Sequence, residues 1–108
     1  MLVVDQPHVA DQPDAQRMRA LVRANEIRSA RAQLRRDVRD GRRTVRDVLF
    51  DPPDEAHTMP VGELLLAQHR WGRTRVRRAL AAVPVAENKP LKALTDRQRL
   101  VLAGLVAR

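Results

Sequence analysis

Apolar residues between positions 14 and 40 recur mostly at intervals of three to five: Met18, Leu21, Val22, Ile27, Ala30, Leu34 and Val38. That spacing lays a narrow stripe along one side of an α-helix. No Pro or Gly interrupts the stretch, and Gly41 stands just past it, where a helix commonly ends on a left-handed residue. The pattern predicts one long helix over about 14–40. Arg17, Arg23, Arg28, Arg31, Arg35 and Arg39 fill the directions away from the stripe.

Shorter amphipathic runs follow. Thr44 is placed to cap a helix carrying Val45, Val48 and Leu49, which Asp51-Pro52-Pro53-Asp54 ends. A third helix is expected from about Pro60, with Thr58 near its cap and Val61, Leu64 and Leu65 inward, until His69-Arg70-Trp71-Gly72 breaks the period. A fourth starts near Arg73, turns Val76, Leu80 and Val83 inward, and stops at Pro84. After the polar loop Glu87-Asn88-Lys89-Pro90, Thr95 and Gln98 stand three apart as a capping box requires, opening a last helix through Leu100, Val101, Leu102 and Leu105. Five helices and no convincing strand make the expected fold all-α. Residues 1–13 contain two Pro and no sustained period, so they are expected to form a flexible arm, and residues 14–108 a single helical domain whose compact part spans about 44–108.

Composition sharpens this picture. With 108 residues there is chain for one core and too little for two. Cysteine is absent, which excludes disulfides, thiol nucleophiles and thiolate metal sites. The longest apolar runs fall far short of the ~20 residues needed to cross a bilayer, and the N-terminus lacks the basic start of a secretory signal. A cytoplasmic location and no membrane partner are expected. The formal net charge of +8 rises to +11 once the first sixteen residues, with three Asp and no Lys or Arg, are set aside. Only Lys89 and Lys92 are lysine; the other basic residues are arginine, whose planar fork suits phosphate oxygens and stays charged when partly desolvated. A polyanionic partner follows.

The densest signal is Arg70-Trp71-Gly72-Arg73-Thr74-Arg75-Val76-Arg77-Arg78, a helix end, a glycine turn and a new helix start with five arginines. First-turn N–H groups lack intrahelical partners and the helix dipole adds positive charge there, so the junction can receive a phosphate with no Cβ at Gly72 in the way. Arg73, Arg75 and Arg78 would add longer-range attraction. The bland alternative is a solvated basic turn in which Gly72 only permits a positive φ. Trp71 either stacks on a sugar or wedges into a groove, or it packs in the core. Asn88, Lys89 and Lys92 lead into the capped helix that carries Arg97 and Arg99, and form either a second site of the same kind or an ordinary soluble loop. Arg28, Arg31 and Arg35 on the long helix form a third basic surface, which either touches the partner or is simply solvated. With an aromatic content of 2%, the chain lacks the stacking platforms of single-strand binders.

Catalysis finds no footing. His8, His57 and His69 are scattered, the carboxylates Asp51, Asp54 and Glu55 share a Pro-rich turn without a positioned partner, and no phosphate-loop, dinucleotide or nucleophile-elbow pattern occurs. Neither an active site nor a metal, cofactor or small-molecule substrate is expected.

Four stretches then carry a family resemblance: Asn25-Glu26-Ile27-Arg28-Ser29-Ala30-Arg31-Ala32-Gln33-Leu34; Val45-Arg46-Asp47-Val48-Leu49 with Asp51-Pro52-Pro53; Leu64-Leu65-Leu66-Ala67 running into Trp71-Gly72-Arg73; and Leu94-Thr95-Asp96-Arg97-Gln98-Arg99. In order and spacing they resemble the actinobacterial type of integration host factor over roughly residues 17–105. The resemblance implies a long N-terminal helix packed on a compact helix-two-turns-helix module, like one in a small-subunit ribosomal protein. It further implies a nucleoid-associated protein that binds double-stranded DNA with little sequence preference, bends or constrains it, and assists recombination. Carried over by position, the glycine turn is Gly72 with Arg73, Thr74 and Arg75, and the second phosphate-facing loop is Asn88, Lys89 and Lys92. The chain departs from the family in Gln68-His69-Arg70, where a Leu-Pro dipeptide is usual, in Pro90 and Ala93 where the loop is often richer in Gly, and in Trp71. A free monomer is expected. The competing readings are a ribosome-associated RNA-binding protein and a helical protein-interaction module using the stripe of the long helix.

Overall fold

The computed structural model describes residues 13–107; the expected arm, apart from Pro13, lies outside them. Five α-helices follow in order: α1 Pro13–Arg39, α2 Val45–Phe50, α3 Val61–Ala67, α4 Arg73–Ala82 and α5 Asp96–Val106. The all-α expectation holds, and the helix ends fall within a residue or two of the positions that capping chemistry marks.

Each boundary has a local cause. At the end of α1, Gly41 takes φ +83. Its N–H bonds the Val38 carbonyl at 3.2 Å while the Arg42 N–H reaches back to the Asp37 carbonyl at 2.8 Å, the paired bonds of a Schellman cap. Thr44 Oγ1 accepts from the Asp47 N–H at 3.0 Å to start α2. The α5 capping box is complete, with Thr95 Oγ1 accepting from the Gln98 N–H at 3.1 Å and Gln98 Oε1 from the Thr95 N–H at 2.9 Å. The start of α3 differs from expectation. Pro60 holds the cap position without a side-chain bond, and Thr58 instead receives the guanidinium of Arg31.

Among the described residues, those from Arg31 onward gather into one compact unit, and those from Pro13 to Ala30 form another. Within the second group, the α1 turns expose Met18, Leu21 and Val22, and Arg28 donates to the Asn25 side chain one turn back. The core belongs to the compact unit. Leu34 and Val38 of α1 join Val45, Val48 and Leu49 of α2, Val61, Leu64 and Leu65 of α3, Val76 and Leu80 of α4, and Leu102 and Ala103 of α5. Inward positions three and four apart on every helix bury one face of each. Helix α2 packs on α5, and α4 on both α3 and α5.

Two features do not follow from helical periodicity. Short 3₁₀ turns form at Asp54–Ala56 and Leu91–Ala93. Beside them, residues 57–62 and 87–92 run antiparallel. The Val61 N–H bonds Lys89 O at 2.8 Å and the Gly62 N–H bonds Glu87 O at 2.9 Å, while Leu91 and Lys92 donate to Met59 O and His57 O, each at 3.0 Å. Gly62 permits this approach: a Cβ there would sit 2.5 Å from Glu87 Cγ and 3.1 Å from its carbonyl oxygen. The loop before α5 is thereby tied to the start of α3.

Candidate nucleic-acid interface

Helix α3 ends at Ala67, and α4 begins at Arg73 after a turn of five residues. The turn is held by the Gln68 N–H on Leu65 O at 3.1 Å and the Trp71 N–H on Gln68 O at 3.0 Å. Its left-handed residue is Arg70, at φ +67, and not the glycine. Gly72 lies in extended backbone at φ −101, and a Cβ added to it would meet nothing within 4 Å. The bland reading of Gly72 as a residue needed for positive φ is thus removed, and the protein's own packing does not ask for glycine either. Helix α4 has no side-chain cap. The first loop-to-helix bond comes from the Val76 N–H to Gly72 O, at 3.0 Å. That leaves the N–H groups of Arg73, Thr74 and Arg75 as the orphan donors of the first turn.

Around these donors the side chains divide into exposed and committed. Arg70, Gly72, Arg73, Thr74, Arg75 and Arg78 are all exposed. Trp71 is 8% exposed and belongs to the core. This corrects the wedge or stacking role considered for it, because an indole so far buried has too little free surface to enter a DNA groove or stack on a sugar. The Arg75 guanidinium covers the ring at 4.6 Å from its centroid, which holds that cation beside the turn.

The second basic element lies close by. Arg73 and Asn88 line one groove with Pro60, Glu63, Leu66 and Glu87, about 590 Å³ in volume, so the α4 start and the 87–92 segment form a single surface. Lys89 is half-buried, and its Nζ donates to Gln98 Oε1 at 3.3 Å, which fixes a cation at the N-terminal turn of α5. Lys92 projects from the Leu91–Ala93 turn and is exposed. Two carboxylates border this surface. Glu63 is paired with Arg35 at 2.7 Å, which offsets its charge; Glu87 is exposed.

The arginines of α1 are mostly occupied. Arg31 donates through Nε to Glu55 O at 2.8 Å and through its terminal nitrogen to Thr58, so it braces the loop before α3 and is not free to meet a partner. Arg35 is the partner of Glu63. Arg28 is exposed. Arg99 also turns inward, donating to Leu49 O and to Leu94 O, the latter at 2.9 Å, and so joins α5 to the end of α2. One group of residues escaped the sequence reading. Arg39, His69 and Arg70 line a groove of about 480 Å³ with Arg35, Glu63 and Leu66. Helical periodicity carries no sign of this pairing, because 30 residues separate Arg39 from His69.

No described helix is long and apolar enough to cross a membrane, and no group of three or more His, Asp or Glu among the described residues could hold a metal ion. No family model matches the chain. A protein of Mycolicibacterium smegmatis, an integration host factor, is 34% identical over 91 residues, which cover 82% of this chain and 87% of the relative. A solved structure of sIHF bound to an 8-base-pair palindromic DNA shares the fold, with a TM-score of 0.70 over 74% of this chain and 92% of that one, at 20% identity.

Proposed function

This chain belongs to the integration host factor family of the actinobacterial type, and from that premise we propose that it is a nucleoid-associated architectural protein that binds duplex DNA through backbone phosphates and bends or constrains it. One observation carries the reading. At the α4 start, uncapped N–H groups lie beside a glycine whose missing side chain neither φ nor internal packing explains. Close approach of an external group does explain it. A phosphate oxygen there is met by the N–H groups of Arg73, Thr74 and Arg75 and by the positive end of the helix dipole. Arg73 and Asn88 share a groove, so neighbouring phosphates are engaged by the turn and by the 87–92 segment together, with Lys89, Lys92, Arg75 and Arg78 adding charge. Contacts of this kind fix position and give affinity without reading bases. The fold neighbour bound to DNA supports the same partner, and the burial of Trp71 removes the one indole on which an unpaired base could stack. The role is architectural and needs no cofactor.

The test is fluorescence anisotropy of a ~20-base-pair DNA duplex and a matched RNA duplex across a salt series. About six phosphate contacts give a log–log slope near −5 with salt. Arg73→Ala/Arg75→Ala makes the slope shallower by about 2, roughly 0.9 for each lost contact. Gly72→Ala separates binding from folding. Its unfolded-chain entropy gain of ~0.4–1 kcal/mol opposes the poorer cap preference of Ala, so stability stays within about 0.5 kcal/mol of the parent. Its affinity for DNA nevertheless falls roughly tenfold, about 1.4 kcal/mol. Tighter binding to RNA than to DNA, or full affinity in Gly72→Ala, overturns the reading.

A further inference from the structure

The groove lined by Arg39, His69 and Arg70 opens beside the first residues of the Gly72 turn, and the clamp at the α4 start does not use it. Its walls come from three elements: Arg35 and Arg39 from the last turns of α1, Glu63 and Leu66 from α3, and His69, Arg70 and Trp71 from the turn. Its charges are unequal in availability. Arg35 and Glu63 neutralise each other at 2.7 Å. Arg39 is more than half exposed and touches Asp40 only at 3.3 Å, and that carboxylate is shared with Arg42. His69 and Arg70 are exposed and have no side-chain hydrogen bond or salt bridge among the described residues. The left-handed conformation of Arg70, which a side chain adopts at a cost, is what lets the chain pass from α3 to Trp71 with both residues left on the surface.

We infer that this groove is a second phosphate subsite, in which His69 in its protonated form joins Arg39 and Arg70 around a backbone phosphate of the same duplex, so that DNA affinity is linked to pH. The inference rests on the duplex-binding reading above. Glu63 forms the common wall of this groove and of the one shared by Arg73 and Asn88, so a strand leaving the α4 start continues into it. A phosphate is an acceptor with full negative charge, and an imidazolium flanked by two guanidiniums offers it charge-assisted donors that neutral imidazole offers only weakly. Imidazole is the side chain whose charge changes between about pH 5 and 8. The other described imidazole, His57, is directed to Pro52 O at 3.1 Å with Asp54 at 3.8 Å, and lines neither groove.

The experiment measures the Kd of the intact chain for a ~20-base-pair DNA duplex at pH 5.5 and pH 8 at one ionic strength, and its salt slope at each pH. The expected result is about three- to tenfold tighter binding at pH 5.5, with a salt slope steeper by about 0.9, the signature of one added phosphate contact. His69→Gln abolishes the pH response, His57→Gln retains it, and Arg39→Ala weakens binding at both pH values. A pH-independent Kd in the parent, or a full pH response in His69→Gln, overturns the second subsite and leaves the Gly72 clamp standing. Failure of the parent to bind duplex DNA at either pH overturns the clamp as well.

Discussion

At the scale of single residues, Asp37 shows how much one side chain near a helix end can hold. Its carboxylate accepts from Gln33 Nε2 and from Arg42 Nε, each at 2.9 Å, while its backbone carbonyl receives the N–H groups of Arg42 and Arg43. A negative charge in the last turn of a helix opposes the dipole, and these donors offset that cost. The Gln33 hydrogen bond first, and the Arg42 guanidinium next, hold the Asp37 carboxyl below the usual carboxylate range. Folding therefore makes this group harder to protonate. Its stabilisation is complete above an ordinary carboxylate pKa of about 4 and is lost as pH falls through the lowered value. Thermal melts between about pH 5 and pH 2 should show a steeper loss of Tm in the parent than in Asp37→Asn. Residues of this kind mark the limit of reading from sequence. Arg31, Arg35 and Arg99 looked like surface cations, yet each has an acceptor far along the chain, 24, 28 and 50 residues away. Spacing within a helix says nothing about such partners. Arg70 in a left-handed conformation was equally hidden, since the usual occupants are Gly and Asn.

At the scale of elements, the legible part was the part written in local chemistry. Gly41, Thr44 and the Thr95/Gln98 box set their boundaries through bonds that span five residues or fewer, so the sequence contains both partners side by side. The antiparallel contact of 57–62 with 87–92 was not legible. Its bonds are backbone bonds, and prolines at 60 and 90 argue against a strand in either segment. Gly62 was the available clue, a small residue inside a helix start. Gly62→Ala is expected to destabilise the protein by about 1 kcal/mol, the low end of overpacking because the Glu87 side chain can swing aside while its carbonyl cannot. Denaturant midpoints will check the loss. The same variant should weaken DNA binding, because displacing Glu87 shifts Asn88 and Lys89 relative to the α4 start.

At the scale of the molecule, every core residue among those described lies at Leu34 or later, and the described residues up to Ala30 form a unit of their own. Removing residues 1–23 should accordingly leave Tm within about 5 °C, the shift that roughly 1 kcal/mol produces in a domain of this size. The proposed clamp lies wholly beyond residue 70, so the log–log salt slope for duplex DNA should change by less than about 0.9, the value of one phosphate contact, and calorimetry beside anisotropy reads stability and binding separately. The proposed clamp draws on charge density and a glycine turn that the sequence already displays, whereas the groove of Arg39, His69 and Arg70 required the fold to bring the end of α1 beside the turn. Trp71 has one more consequence. It is the chain's single tryptophan and no tyrosine competes with its emission, and the cation over its ring belongs to the proposed clamp. Drawing Arg75 toward a phosphate alters the electric field at the indole, so the protein carries a built-in optical gauge, and occupancy of the turn can be followed in unlabelled material by the colour and intensity of its own fluorescence.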